Sequence, residues 1–234
     1  MRTLAVILAR SGSKRIKKKL FLKINNKTIL KIFLERLKQV KSIDEIMIAT
    51  SKNKNDEEIV KFAKQNHLNY FRGPEKNVLK RLYLSTLQAK KKPSLIVRAN
   101  ADCVLMMPSI VNKDINLMKK MEYDLLTPFN VNYCPFGFSF VIFKSKVLKK
   151  IYKKAKKKEH LEHIENYCFD NSKNFKILRP KYSKGLFYPD LRLTLDEKKG
   201  YKKIKFFFDK VKNIPLLAQP KKLINVAKNY KFYD

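Results

Sequence analysis

A chain of 234 residues can close one α/β core and is too short for two ordinary domains with a linker, so one domain over 1–234 is expected. An apolar fraction of 44% with 16 Phe and 11 Tyr excludes a disordered polyelectrolyte, although 32% of residues are charged. The net charge of +34 suggests a polyanion, but it comes from 45 Lys and only 9 Arg spread along the whole chain.

Readers of grooves and bases favour the Arg fork, and a basic footprint counts when it is clustered. No specific nucleic-acid partner is therefore expected, and the abundance of Lys, Asn and Ile fits a GC-poor coding sequence. No apolar run reaches the roughly 18 residues of a membrane span, and Met1–Arg10 lacks a basic n-region followed by an apolar core and cleavage site, so no membrane insertion and a cytoplasmic location are expected. Cys103, Cys134 and Cys168 form no CxxC pair, which points to reduced, mostly buried thiols.

The run Thr3–Ala9 is short and continuously apolar, the pattern of a central strand buried on both faces. Thr28 to Gln39 carries Ile29, Ile32, Phe33 and Leu37 at helical spacing behind a Thr28 cap, and Ile43 to Thr50 reads as the next strand. Asn55 and Glu58 fit a capping box ahead of a second helix, and Leu68 to Phe71 a third strand. A helix over Asn77–Lys91, a buried strand over Leu95–Ala99 and a helix from Pro108 to about Met121 follow.

Further on, Phe138–Phe143 reads as a strand, Ser145–Lys157 and His160–Phe169 as helices, and Phe175–Leu178 and Leu191–Leu195 as strands. A helix is expected from Lys198 to Val211, and Pro215–Asp234 can add a last one. Strands alternating with helices imply an α/β fold, a three-layer, Rossmann-like, mostly parallel sheet.

Ligands of such sheets bind beyond the carboxyl ends of the strands, which draws attention to Ala9-Arg-Ser-Gly-Ser-Lys-Arg-Ile-Lys-Lys-Lys19. Gly12 permits a tight path, Ser11 and Ser13 offer hydroxyls, and Arg10, Lys14, Arg15 and Lys19 supply charge. This is neither a Walker A loop nor a G-x-G-x-x-G fingerprint. On residues alone, a phosphate cradle and a solvated basic loop stand level. Asp102 and Asp196 each end an apolar strand, so one rim can bring them together although 94 positions separate them. Magnesium takes one or two carboxylates plus phosphates and water. For either Asp alone, a loop or cap role is the ordinary reading.

Leu8-Ala-Arg-Ser-Gly-Ser-Lys-Arg15 with Lys19 resembles the signature of the CMP-sugar-acid synthetases, the acylneuraminate cytidylyltransferase family with its spore-coat polysaccharide group. Asp44–Ser51, Phe71-Arg-Gly-Pro-Glu75, Asn77-Val-Leu-Lys-Arg81, Val97–Cys103, Glu162-His-Ile164 and Leu191–Asp196 follow in that group's order and spacing. The resemblance implies a nucleotide-sugar nucleotidyltransferase fold and transfer of CMP from CTP to a sugar acid of nonulosonic or octulosonic type. Pyrophosphate would leave, Mg²⁺ would assist, and the chain would form a homodimer. It implies Arg10 and Lys19 on the triphosphate, with Gly12 and Ser13 in the same nucleotide-binding loop, Ala9 and Arg72 on the nucleoside side, and Asp102 and Asp196 on the metal.

His163, in the Glu-His element, and Ser139 are implied on the acceptor side. Phe136, Ser139 and Val141 stand where the spore-coat group has carboxylates, which implies a less polar acceptor pocket. Lys17-Lys18-Lys19 and Ala101 also depart from the pattern and leave a noncatalytic nucleotide-binding homologue as an alternative. A basic binder of phosphate polymers is a third reading. His160 and His163 lack a third ligand at zinc spacing, and Phe206–Phe208 read as core.

Overall fold

The structure is a computed structural model that describes residues 1–12, 16, 18–128, 134–186, 188, 191, 193–210 and 220–229. Strand β1 (Thr3–Leu8) lies at the centre, as its unbroken apolar run requires. The ribbon β2 (Lys23–Ile24) and β3 (Lys27–Thr28) precedes α1 (Ile29–Leu37), β4 (Glu45–Ser51), α2 (Glu57–Gln65) and β5 (Asn69–Gly73). Next come α3 (Val78–Thr86), β6 (Leu95–Asn100), α4 (Pro108–Lys120), β7 (Leu125–Leu126), β8 (Val141–Lys144) and α5 (Ser145–Lys154). The short α6 (Lys158–Glu162) and α7 (Asn166–Asp170), then β9 (Ile177–Leu178), α8 (Lys198–Lys210) and α9 (Pro220–Asn229) complete the order.

The main sheet runs β5-β4-β1-β6-β8-β7-β9. β5, β4, β1 and β6 are parallel to one another, β8 is antiparallel to β6 and β7, and β9 is parallel to β7. The chain leaves β1 toward β4 and β5, then returns to β6 on the other side of β1. That reversal opens a crevice at the carboxyl ends of β1 and β6. Alternation along β1 sends Ala5 and Ile7 to a core shared with α1, α2, α4, α8 and α9, and Leu4 and Val6 to one shared with α3 and α5. Three layers result, as the alternating pattern implies.

The Thr28 hydroxyl caps α1 by accepting from the Lys31 amide at 3.2 Å, and Asn77 caps α3 through the Lys80 amide at 2.8 Å. Helix α3 stops at Thr86, short of Lys91, where the Ser85 and Thr86 hydroxyls bond back to the carbonyls of Leu82 and Tyr83. The Asn55–Glu58 capping box does not form: Asn55 lies inside the turn Lys54–Asp56, and the Asp56 carboxylate points to Ser11 and Ser51 instead.

No strand forms at Leu191–Leu195 among the described residues; Leu191, Leu193 and Leu195 are apolar because they enter the core, and their backbone bonds to Phe136, Tyr188 and Asp102 rather than to a neighbouring strand. The expected helix His160–Phe169 divides into α6 and α7 at His163 (φ −105, ψ 82). A continuous helix would give the Glu162 carbonyl to the Asn166 amide. Here that carbonyl accepts from Arg98, and the Asn166 amide bonds to the His163 carbonyl at 3.0 Å. Phe207 and Phe208 are buried as expected, and α9 docks through Leu223, Ile224 and Ala227.

Candidate active site

The chain leaves β1 through Ala9, whose amide still reaches the Ala49 carbonyl of β4 at 3.3 Å. Ser11 is held from outside the loop, its amide donating to Asp56 Oδ1 at 2.6 Å. The other Asp56 oxygen accepts from the Ser51 amide at 3.1 Å and the Ser51 hydroxyl at 2.5 Å. Burial raises the Asp56 pKa, but the bonds from Ser51 and Ser11 outweigh it and hold the group below its ordinary value. One buried carboxylate thus ties the loop after β1 to the end of β4. Gly12 is required by close approach, since a Cβ there would lie 2.9 Å from a Glu75 carboxylate oxygen. Ser13 lies outside the described residues.

Asp102 follows β6 in a tight turn closed by the Cys103 amide on the Asn100 carbonyl at 3.0 Å. Arg36 of α1, buried in the core, steadies the next turn by donating from Nε and Nη2 to the Met106 carbonyl at 3.0 and 2.6 Å. Its burial pushes its pKa down to about 10. Asp196 reaches the same rim because the Leu195 amide donates to the Asp102 carbonyl at 3.0 Å. Both carboxylates act on the buried Cys103 thiol, which burial, then Asp102, then Asp196, push well above its usual pKa.

Lys19 joins them, with Nζ 2.8 Å from Asp102 Oδ2 and 3.4 Å from the Leu195 carbonyl. Asp196 Oδ2 accepts from the Thr194 hydroxyl at 2.6 Å. No cluster of three or more His, Cys, Asp or Glu side chains forms a metal site among the described residues. Two carboxylates suit a cation that takes its other ligands from phosphate and water.

Arg10, Lys19, Asp102 and Asp196 all line one cleft of about 1310 Å³, above the roughly 300–1,000 Å³ of a single-ligand pocket. Arg81 of α3 and Arg98 of β6 line it too. Arg81 is pinned by the Pro74 carbonyl and, at 2.9 Å, by that of Glu75. Burial first, then the charge of Arg10, lower its pKa to about 10, so these two guanidiniums feel one another. The opposite wall is α6–α7, with Glu159, Glu162, His163, Asn166 and Phe169, and α8 contributes Lys199 and Lys203.

Two expected residues lie elsewhere. Arg72 is not on the cleft wall: it donates to the Ser51 carbonyl at 3.2 Å, the Asn53 carbonyl at 3.1 Å and Glu57 at 2.8 Å. Ser139 is buried, its hydroxyl donating to Asp114 at 2.5 Å, because the chain turns inward at Gly137 (φ +103). Phe136 lines the cleft, while Val141 packs in the core as the first residue of β8. His163 faces the cleft; its neighbour His160 is buried, with Nε2 2.9 Å from Asp170. Arg98 carries a signal that composition alone did not weigh, a charged residue inside the apolar run Leu95–Ala99. Arg81 closes the motif Asn77-Val-Leu-Lys-Arg81, which marks it without assigning a role, and Asp56 carries no signal.

Fold and cleft suit a nucleotidyltransferase, and the family match shows that class. The cytidylyltransferase family's profile matches residues 4–212, and the chain belongs to that family. It is 36% identical over 204 residues to an uncharacterized protein of Methanocaldococcus jannaschii, covering 86% of this chain and 81% of that one. It is 25% identical over 218 residues to the spore coat polysaccharide biosynthesis protein SpsF of Bacillus subtilis, covering 91% and 88%. A cytidylyltransferase from Leptospira borgpetersenii superposes with TM-score 0.90 at 25% identity, covering 99% of this chain and 95% of that one.

Proposed function

We propose that this chain transfers CMP from CTP to the anomeric hydroxyl of a sugar acid, of the nonulosonic or octulosonic type, for surface polysaccharide synthesis. The carrying observation is the Leu195–Asp102 hydrogen bond, which sets two carboxylates and Lys19 at the mouth of the crevice beside Arg10. In the reaction the sugar oxygen forms a bond to the α-phosphorus, the bond to the pyrophosphate oxygen breaks, and the hydroxyl proton passes to solvent or a cleft base. Such chemistry asks the protein chiefly for positioning and charge neutralisation.

Arg10, Lys19 and the loop amides at Gly12 would take the triphosphate, and Arg81 adds charge on the same side. Asp102 and Asp196 would hold Mg²⁺, which supplies charge on the phosphates when bound. His163 and Asn166 on the facing wall would meet the acceptor. A cytoplasmic location is part of this proposal by analogy with the family, and no helix among the described residues is long and apolar enough to cross a membrane. A homodimer is part of this proposal by analogy with the family.

The test is pyrophosphate release from CTP over a panel of sugar acids, with thermal shift by CTP, ATP and GTP in Mg²⁺ alongside. CTP should raise the melting temperature most, because a ligand of the native state stabilises it by mass action. Equal shifts that vanish together in moderate salt, with no turnover of any acid, would overturn the reading.

A further inference from the structure

In the lining of the cleft lies a buried ion pair to which the proposed function gives no role at the triphosphate or the metal. Arg98 is the one charged side chain of β6, pointing with Ile96 to the face that packs α3 and α5. Its Nη1 is 2.5 Å from Glu165 Oε2, with the side chains 8% and 6% exposed. Its Nη2 donates to the Glu162 carbonyl at 3.2 Å. A pair this buried gains little over apolar residues of the same volume, so stability alone is a poor reason for it. Its geometry gives a better one.

The two arms of the guanidinium grip different parts of one turn: the last carbonyl of α6 and a side chain just ahead of α7. Those helices are five residues each, and neither has a side-chain cap. Segments that short do not hold their own conformation in water. Ile164 and Cys168 bury the inner face of the segment, but apolar contact is not directional. The fork supplies direction, and by taking the Glu162 carbonyl it breaks the helix at His163. The turn so made presents Glu162, His163 and Asn166 to the cleft.

We propose that Arg98 and Glu165 are positioning residues for the acceptor, fixing the α6–α7 wall at a set distance from Asp102 in the turn after the same strand. The proposal rests on the acceptor meeting that wall, as in the function proposed above. A lysine at 98 would keep the charge and lose the second arm.

The test is the double variant Arg98→Met/Glu165→Leu, which removes one charge of each sign and refills the volume, beside Arg98→Lys. The probes are CTP with Mg²⁺, and N-acetylneuraminate and 3-deoxy-manno-octulosonate as acceptors. The double variant should melt within about 3 °C of wild type while the acceptor KM rises at least tenfold, CTP affinity stays within twofold, and amides 162–166 exchange hydrogen at least tenfold faster. Should the double variant fold poorly, Arg98→Lys is read by the same four measurements, with a smaller rise in KM.

A restored melting temperature with unchanged acceptor KM and unchanged exchange makes the pair a filler of the core and overturns the proposal. Loss of CTP affinity equal to the rise in acceptor KM overturns it too, by moving Arg98 to the nucleotide. Wild type that turns over no acid fails the proposed function instead, and hydrogen exchange at 162–166 then decides the positioning role alone.

Discussion

Asp56→Ala tests how the loop after β1 is held. The wild-type carboxylate accepts from the Ser11 amide at 2.6 Å, the Ser51 amide at 3.1 Å and the Ser51 hydroxyl at 2.5 Å. The hydroxyl can turn elsewhere, so the loss is counted on the two amides, at roughly 1.5–3 kcal/mol for each bond to a charged group. Ser11 is only partly buried, and water recovers part of its share, which leaves about 3 kcal/mol. For a chain of this size that is a fall of about 6–12 °C in melting temperature.

A loosened Ser11 also frees Arg10 and Gly12, and CTP affinity should weaken about tenfold, roughly 1.4 kcal/mol. Asp56→Asn keeps one carbonyl oxygen and should lose less of both. The folded pKa lies below 3.8, so the stabilisation is complete above about pH 4 and is lost as pH falls through the folded value. The gap between wild type and Asp56→Ala should therefore be constant near neutrality and close only in strong acid. Thermal unfolding across pH and a CTP titration measure both effects. An alanine variant melting within about 2 °C of wild type, or binding CTP as tightly, would refute the tie between Asp56 and the loop.

Asp102→Asn and Asp196→Asn should each cut turnover at least about a hundredfold at unsaturating magnesium, while melting moves by under about 3 °C, because the Lys19–Asp102 pair is partly open to solvent and such pairs contribute roughly 0–1 kcal/mol. Wild-type turnover would remove that residue from the metal. Gly200→Ala sets a Cβ 2.6 Å from the Thr194 carbonyl oxygen, two residues before Asp196. It should cost about 1–3 kcal/mol and lower turnover as α8 shifts away, so a variant with native melting and native turnover would show that the contact yields freely.

Burial raises Asp114 to about 6 despite the bonds from Ser139 and Tyr182. Its native state holds the proton more firmly than the unfolded chain does, so the contribution to stability is full below about pH 4 and is lost as pH rises through about 6. Asp114→Asn should gain on wild type between those pH values, by at most about 3 kcal/mol. A melting difference that stays flat from pH 4 to 7 counts against it.

Local chemistry was readable along the chain. The unbroken run of β1, the Thr28 cap and the alternation of strand with helix depend on neighbours a few positions away, and the structure contains them. Reading failed where a distant group took over a local one. Asn55 and Glu58 have the form of a capping box, yet Asp56 is engaged across the sheet by Ser11 and Ser51. A helix over His160–Phe169 is broken by an arginine from β6, 64 positions from the carbonyl it takes.

Leu191–Leu195 shows that an apolar alternation reports burial, not membership of a ladder. The candidate site divides in the same way. Arg10, Asp102 and Asp196 stand out as charged residues after apolar runs, because a charge there has no core to enter, while Lys19 was marked by the family resemblance. Which other side chains share their cleft was decided by packing. Arg72 looks as cationic in the sequence as Arg81, but it is engaged behind β4 while Arg81 faces the crevice. Residue order records charge and periodicity, whereas only the closed sheet sets the direction in which each side chain points.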